Sequence, residues 1–246
     1  MAVPQTETLL QVWETSCGEH PIHRALALLD AAWPRAGVEG WASVPIGQRD
    51  AWLLDLHHSL FGPELATVTH CPRCRERLEI SFSAEEVGLP TPAPPAEPAA
   101  FRLSAHGYEV DYRLPNSDDL LVAASARNPK DAVDRLLDRC VLTAYLHGRP
   151  VAATDLPEGV LLDLAEGVQA QDPGVEIRVA LACEDCGYDW KIDFDPVQHV
   201  SAQLDDWAQL LLAEVHALAS AYGWAERDIV AMPPLRRQIY LDMVRR

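Results

Sequence analysis

The spacing of apolar residues changes several times along the chain, and each change marks an element. Leu9, Leu10, Val12 and Trp13 open a first helix, and Ile22, Leu26, Leu29 and Trp33 recur at helical spacing in a second that ends near Pro34 and Gly37. A third helix runs from about Ile46 to Phe61 and stops at Gly62-Pro63, because proline cannot continue a helix. Residues 65–82 then alternate as extended chain around a Cys-x-x-Cys turn, and 90–100, PTPAPPAEPAA with its flanks, reads as a stiff linker. FRLSAHGYEVDYRLP predicts a strand pair. Asn116 or Ser117 caps a helix whose first turn carries Asp118 and Asp119, and further helices are expected over 129–147 and 158–170. Residues 175–194 are extended around a second Cys-x-x-Cys. The remainder is helical, with Leu204, Trp207, Leu211, Val215, Leu218 and Tyr222 on one face until Gly223 interrupts it before two shorter helices.

The cysteines give this pattern a chemistry. Cys71-Pro72-Arg73-Cys74 and Cys183-Glu184-Asp185-Cys186 each place two thiols on a tight turn, as a zinc knuckle does. Each pair is followed by large apolar residues at positions four, six and eight: Leu78, Ile80 and Phe82 after Cys74, Trp190, Ile192 and Phe194 after Cys186. The two segments repeat at a constant offset of 112 residues. Period-two alternation makes each a strand with one buried face. The expected geometry is a pair of knuckle hairpins facing each other over one ion, with the intervening chain hung between two halves of a ribbon. A redox Cys-x-x-Cys usually opens a helix, whereas strands follow both pairs here, and disulfides are the third reading. Structural Zn2+ on Cys71, Cys74, Cys183 and Cys186 is the favoured one. His70 is a less favoured ligand, Cys140 reads as a buried thiol in the apolar helix LLDRCVLTAYL, and Cys17 reads as incidental.

Composition narrows the function. Lys+Arg number 20 against Asp+Glu 37, a net charge of −17 in 246 residues, which opposes broad nucleic-acid binding. A small basic group, Arg73, Arg75 and Arg77, stands on the first knuckle, but Glu184, Asp185 and Asp189 on the second would oppose phosphate. No apolar run approaches the roughly 20 residues of a membrane span. The N-terminus lacks a basic start and apolar middle, so the expectation is a cytoplasmic protein. Four thiolates leave no open position for water, and no metalloprotease, deaminase, phosphate-loop, dinucleotide or hydrolase-elbow motif occurs. The carboxylate pairs Asp118-Asp119 and Asp205-Asp206 read as helix-start charges or solvated surface. Arg236-Arg237 and Arg245-Arg246 read as charge at a helix C-terminus. No enzyme is indicated.

Three passages carry a resemblance: HHSLFGPELATVTHCPRCRERLEISFS, YEVDYRLPNSDDLLVA, and CEDCGYDWKIDFDPVQHV with LLLAEVHALASAYGWAERDIVAMPPLRRQIYLDMV. Together they resemble the baseplate hub assembly proteins of T-even-type contractile-tailed phages and of phage-derived contractile injection systems. The resemblance covers most of 50–246 and is most specific over 214–244. The family implies a non-enzymatic role in building the baseplate, as a chaperone or a minor component that enters the particle. Its partners would be other baseplate or hub proteins, with no membrane and no small-molecule substrate. The four cysteines carry over, as do Tyr222, Trp224, Glu226, Ile229, Arg236, Arg237 and Tyr240, read as a docking surface. The alternative for Trp224, Ile229 and Tyr240 is that they close a core of their own. The family's glycine after the second cysteine stands at Gly187, whereas the first knuckle has Arg75 there. A zinc-ribbon nucleic-acid-binding or regulatory adaptor is the competing function.

The expected fold is α+β. It comprises an N-terminal helical segment (1–64), two ribbon halves (65–89 and 175–195), the linker (90–100), an inserted strand-plus-helix module (101–174) and a C-terminal helical hairpin (196–246).

Overall fold

Helical and alternating stretches of sequence become helices and small antiparallel sheets, and the protein is α+β in a computed structural model that describes residues 3–34, 40–87, 92 and 99–244. The linker reading of 90–100 falls, apart from Pro92, Ala99 and Ala100, outside the described residues, as do the helix end near Gly37 and the pair Arg245-Arg246. The chain divides into two compact units, Met1–Pro34 with Val197–Arg246, and Arg35–Pro196.

The first unit joins the two ends of the chain. Helices α1 (Thr6–Thr15) and α2 (Pro21–Ala32) accompany a long α7 (Pro196–Tyr222), α8 (Glu226–Val230) and α9 (Pro234–Val244). Leu10, Leu211, Leu218, Ile229 and Leu241 share one core, with Trp13 packed against it. Arg24 of α2 is buried and tied to α7, donating to the Ser201 carbonyl at 3.2 Å and to Asp205 at 2.9 Å. Trp13 also donates to Asp205, so this carboxylate holds two elements together rather than standing free in solvent.

The second unit contains α3 (Ile46–Phe61), two hairpins and the module between them. The hairpins are β1 (Leu65–His70) with β2 (Arg77–Phe82), and β7 (Ile177–Ala182) with β8 (Asp189–Phe194). Leu54 of α3 lies in one core with Leu65, Phe82 and Val179, one residue or more from each hairpin. Between them, β3 (Ala100–Ala105), β4 (Tyr108–Arg113), β5 (Val141–Leu146) and β6 (Arg149–Pro150) form a four-stranded antiparallel sheet in sequence order. Helices α4 (Ser117–Ala124) and α5 (Pro129–Cys140) separate β4 from β5, and α6 (Glu158–Gln171) contributes Val160 to a core shared with Val110, Ala144 and Leu156. Two His-Gly turns close its hairpins. His106-Gly107 has φ of 54° and 80°, and His147-Gly148 has 48° and 78°, the positive pair that a tight two-residue hairpin turn demands.

One predicted helix is corrected. The run expected to be helical over 129–147 is helix only to Cys140, and 141–146 is strand. Val141, Thr143 and Tyr145 suit a strand locally, and β4 supplies the partner that makes it one. Cys140 is therefore the last residue of α5, half-buried, and not an interior helical thiol.

Candidate metal centre

The two cysteine turns are built by the same backbone device. Cys71 N–H donates to the Glu76 carbonyl at 2.9 Å and Arg75 N–H to the Cys71 carbonyl at 2.9 Å. In the second turn Cys183 N–H donates to Tyr188 at 2.9 Å and Gly187 N–H to Cys183 at 2.8 Å. Arg75 takes the left-handed φ of 64° that Gly187 takes at 65°, so the substitution leaves the turn intact. A side chain in that region costs roughly 1–2 kcal/mol. Both hairpins hold the same register, Leu65 opposite Phe82 and Ile177 opposite Phe194, again offset by 112.

These turns bring all four sulfurs together. Cys71 Sγ lies 3.6 Å from Cys186 Sγ, Cys74 Sγ lies 3.6 Å from Cys183 Sγ, and the four atoms are all within 4.8 Å of one another. Bonds of about 2.3 Å to a tetrahedral ion set sulfurs about 3.8 Å apart, so the spacing suits one metal ion. All six cysteines of the chain are free thiols. Cys71 and Cys183 are buried, Cys186 half-buried and Cys74 exposed. Burial opposes a Cys71 thiolate, but the N–H groups of Cys74 and Arg73 aimed at the sulfur outweigh it and bring the thiol down to about 6. At Cys74 the Glu76 N–H favours the thiolate. Burial and the neighbouring sulfurs prevail there, and the thiol is pushed up to about 12. Four sulfurs this close cannot all carry charge alone, and a cation at their centre relieves that repulsion.

The apolar strand residues pack where the repeat places them. Phe82 and Phe194 meet edge to face at 5.1 Å, with Ile80 and Ile192 against the same core. His70 is exposed at the end of β1 and lies outside the sulfur cluster. Cys17 is exposed and Cys140 is committed elsewhere, its sulfur 3.6 Å from Asp119. Burial first, then the Asp119 charge, pushes the Cys140 thiol up to about 12, which makes it a poor nucleophile.

The other site residues are divided between surface and interior. Ile229 is fully buried in the helical core. Arg237 is buried as well, donating to Glu214 at 2.6 Å and to the Met232 carbonyl at 3.0 Å, so both face inward. Tyr222 stacks on Trp224 at 4.6 Å, and Tyr240 meets both edge-on, at 5.9 and 4.9 Å. Tyr222, Glu226 and Arg236 are exposed, while Trp224 and Tyr240 are half-buried.

Two buried ionic groups lay outside the sequence reading. Asp119, expected as a helix-start charge or as solvated surface, does stand in the first turn of α4, where it completes the cap with Asn116, but it is fully buried. It accepts from the two terminal guanidinium nitrogens of Arg113, at 2.6 and 2.8 Å, and from Arg139 at 2.5 Å. The second group is Arg49 with Asp50. Arg49 donates to Asp50 at 2.8 Å and to Ser117 at 3.0 Å, while Asp172 nearby accepts from Gly47 N–H at 2.8 Å. A Cβ on Gly47 would fall 2.1 Å from Asp172 Oδ1, so only glycine fits there.

Burial raises Asp50 from 3.8 to about 6, against the pull of Arg49 and with help from Asp195 and Asp172. A carboxyl whose folded pKa is raised binds more protons folded than unfolded between those values. Stability therefore falls as pH rises from about 4 to 6, by roughly 2–3 kcal/mol from this group. Thermal melts across that window are expected to show the decline, and Asp50→Asn to reduce it. An unchanged slope in the variant would refute the assignment.

Among the described residues, no helix is long and apolar enough to cross a membrane. Compared with known proteins, the chain matches no family model, no curated protein and no solved structure.

Proposed function

We propose that Cys71, Cys74, Cys183 and Cys186 hold one structural Zn2+ that locks the two hairpins into a zinc-ribbon-like scaffold. On this reading the protein is a non-enzymatic assembly factor or adaptor for the baseplate hub of a contractile particle. The observation that carries the proposal is the convergence of four sulfurs from two distant turns at tetrahedral spacing. Thiolate oxygen-free ligation favours zinc over hard cations, and four protein ligands leave no position for a reacting water. The resemblance to baseplate hub assembly proteins supplies the biological setting. The exposed part of its C-terminal motif, Tyr222, Glu226 and Arg236, supplies the docking surface on this reading, because aromatics and arginine are the residues that dominate protein interfaces. The arginines of the first turn are offset at the same end by Glu184 and Asp185 of the second, which weighs against the nucleic-acid reading.

The test is a deletion in a strain that makes the particle. Tube and sheath proteins are expected to remain expressed while contractile particles disappear, and normal particles would overturn the reading. Arg236→Glu, at an exposed arginine, is expected to abolish co-purification of baseplate proteins without moving the melting temperature, and Tyr222→Ala to do the same at a cost of a few degrees, because its ring also stacks on Trp224. Salt-sensitive co-purification of RNA or DNA in their place would favour the nucleic-acid adaptor.

A further inference from the structure

The four clustered cysteines differ in their access to solvent. Cys74 is exposed and Cys186 half-buried, whereas Cys71 and Cys183 are buried. The 3.6 Å contacts across the cluster join one of each kind: exposed Cys74 touches buried Cys183, and half-buried Cys186 touches buried Cys71. Both contacts run from one hairpin to the other, and together they use every sulfur once. An accessible cysteine with a second thiol against it is how oxidant-sensing sites are built, because the first takes the oxidant and the second resolves the product. Cys140 has no such arrangement, since its sulfur faces the Asp119 carboxylate.

We infer that these cysteines form an oxidant-responsive site, at which a peroxide expels the metal and joins the two hairpins through disulfides Cys74–Cys183 and Cys71–Cys186. The inference rests on the zinc reading for what is expelled, and on the sulfur contacts alone for which cysteines pair.

The chemistry balances with peroxide as the oxidant. The Cys74 thiolate attacks one peroxide oxygen, the O–O bond breaks, hydroxide leaves and a sulfenic acid forms. The Cys183 thiolate then attacks the Cys74 sulfur, the S–O bond breaks, and a second hydroxide leaves as the S–S bond forms. Each peroxide thus takes two electrons from one sulfur pair. The same sequence at Cys186 and Cys71 consumes a second peroxide, and the ion, left without thiolates, departs as Zn2+. Each pair closes from 3.6 Å to a bond of about 2.05 Å. The cross-links join residues 115 and 109 positions apart, and loops this long restrict the unfolded chain strongly. The hairpins are therefore held by metal in reducing surroundings and by covalent bonds in oxidising ones.

Hydrogen peroxide added to the reduced, metal-loaded full chain provides the test. Released zinc is followed with a chromogenic chelator, and disulfides are located by mass spectrometry of a non-reducing digest. One ion is expected to leave for every two peroxides consumed, with the peptides of Cys74 and Cys183 linked and those of Cys71 and Cys186 linked. Dithiothreitol and added zinc should restore one ion per chain. Cys74→Ser is expected to halve the peroxide consumed, forming Cys71–Cys186 and leaving Cys183 reduced. Links within the turns, Cys71–Cys74 and Cys183–Cys186, would overturn the inference. So would sulfinic or sulfonic acids in place of disulfides, or thiols that stay reduced at peroxide levels that oxidise free glutathione. A chain that purifies without metal would refute the zinc reading alone, because the disulfide map made on that chain still decides the pairing.

Discussion

Replacing Cys183 with serine is expected to strip the metal from the protein and to loosen both cysteine hairpins together. Cys183 is buried, and its sulfur lies 3.6 Å from Cys74 across the cluster. A serine hydroxyl stays protonated and is a poor ligand, so three sulfurs would be left to hold an ion suited to four. On the proposed metal reading the hairpins depend on that ion, because their own core is small. Each is a two-stranded sheet, and such ribbons are marginal alone. Leu65, Phe82, Ile177 and Val179 are the apolar strand residues of the hairpins that are buried. Structural zinc contributes about 10–16 kcal/mol of apparent binding free energy in small zinc domains at pH 7, against about 6–12 kcal/mol from four buried side chains. Metal content by mass spectrometry should fall from one ion per chain to none, and amide exchange should rise in β1, β2, β7 and β8. Cys17→Ser, at an exposed cysteine outside the cluster, serves as the control and should change neither. If Cys183→Ser kept one ion per chain and its exchange protection, the four-sulfur site would be wrong.

The cysteine site was legible because chemistry and periodicity repeat together at one offset, and the backbone of both turns follows that repeat down to the left-handed residue. Elsewhere local pattern was a poorer guide. LLDRCVLTAYL satisfies helical spacing throughout, and only pairing with β4, more than 25 residues earlier, makes its second half a strand. Asp119 was legible as a helix-start charge but not as a buried one, because Arg113 and Arg139 lie six and twenty residues away, beyond any helical partner spacing. The grouping of α1 and α2 with α7 is equally non-local, since Arg24 finds its partner Asp205 181 residues later. Within the C-terminal motif, the sequence does not say where the residues point. Ile229 and Arg237 turn inward to hold the helical unit, and Tyr222 and Arg236 face solvent.

The inserted module rests on a different kind of anchor, and Asp119→Asn is the variant expected to damage it most. The carboxylate is fully buried and takes hydrogen bonds from Arg113, Arg139 and the Asn116 N–H, so it ties the end of β4 to the start of α4 and the end of α5. An asparagine of the same shape removes the charge and leaves two guanidinium groups in partial burial without a counter-ion. Breaking one side of a buried ionic network costs about 3–5 kcal/mol. For a domain of this size each kcal/mol moves the melting temperature by roughly 2–4 °C, so a fall of about 6–20 °C is expected. Asp118→Asn, one residue away but exposed, should shift it little.

Acid offers an independent check on the same residue. Burial pushes Asp119 up, but the bonds from Arg113, Asn116 and Arg139 outweigh it and hold the carboxyl at about 2, below the ordinary 3.8. A depressed carboxylate contributes stability that is fully present above the ordinary value and disappears as pH falls through the folded one. Stability should therefore drop between about pH 4 and 2 in the parent and drop less steeply in Asp119→Asn. The window lies below that of Asp50, and the slope has the opposite sign, so one set of melts from pH 2 to 7 separates the two carboxyls. A parent and an Asp119→Asn variant with parallel acid limbs would mean that the carboxyl is not held ionised by its arginines.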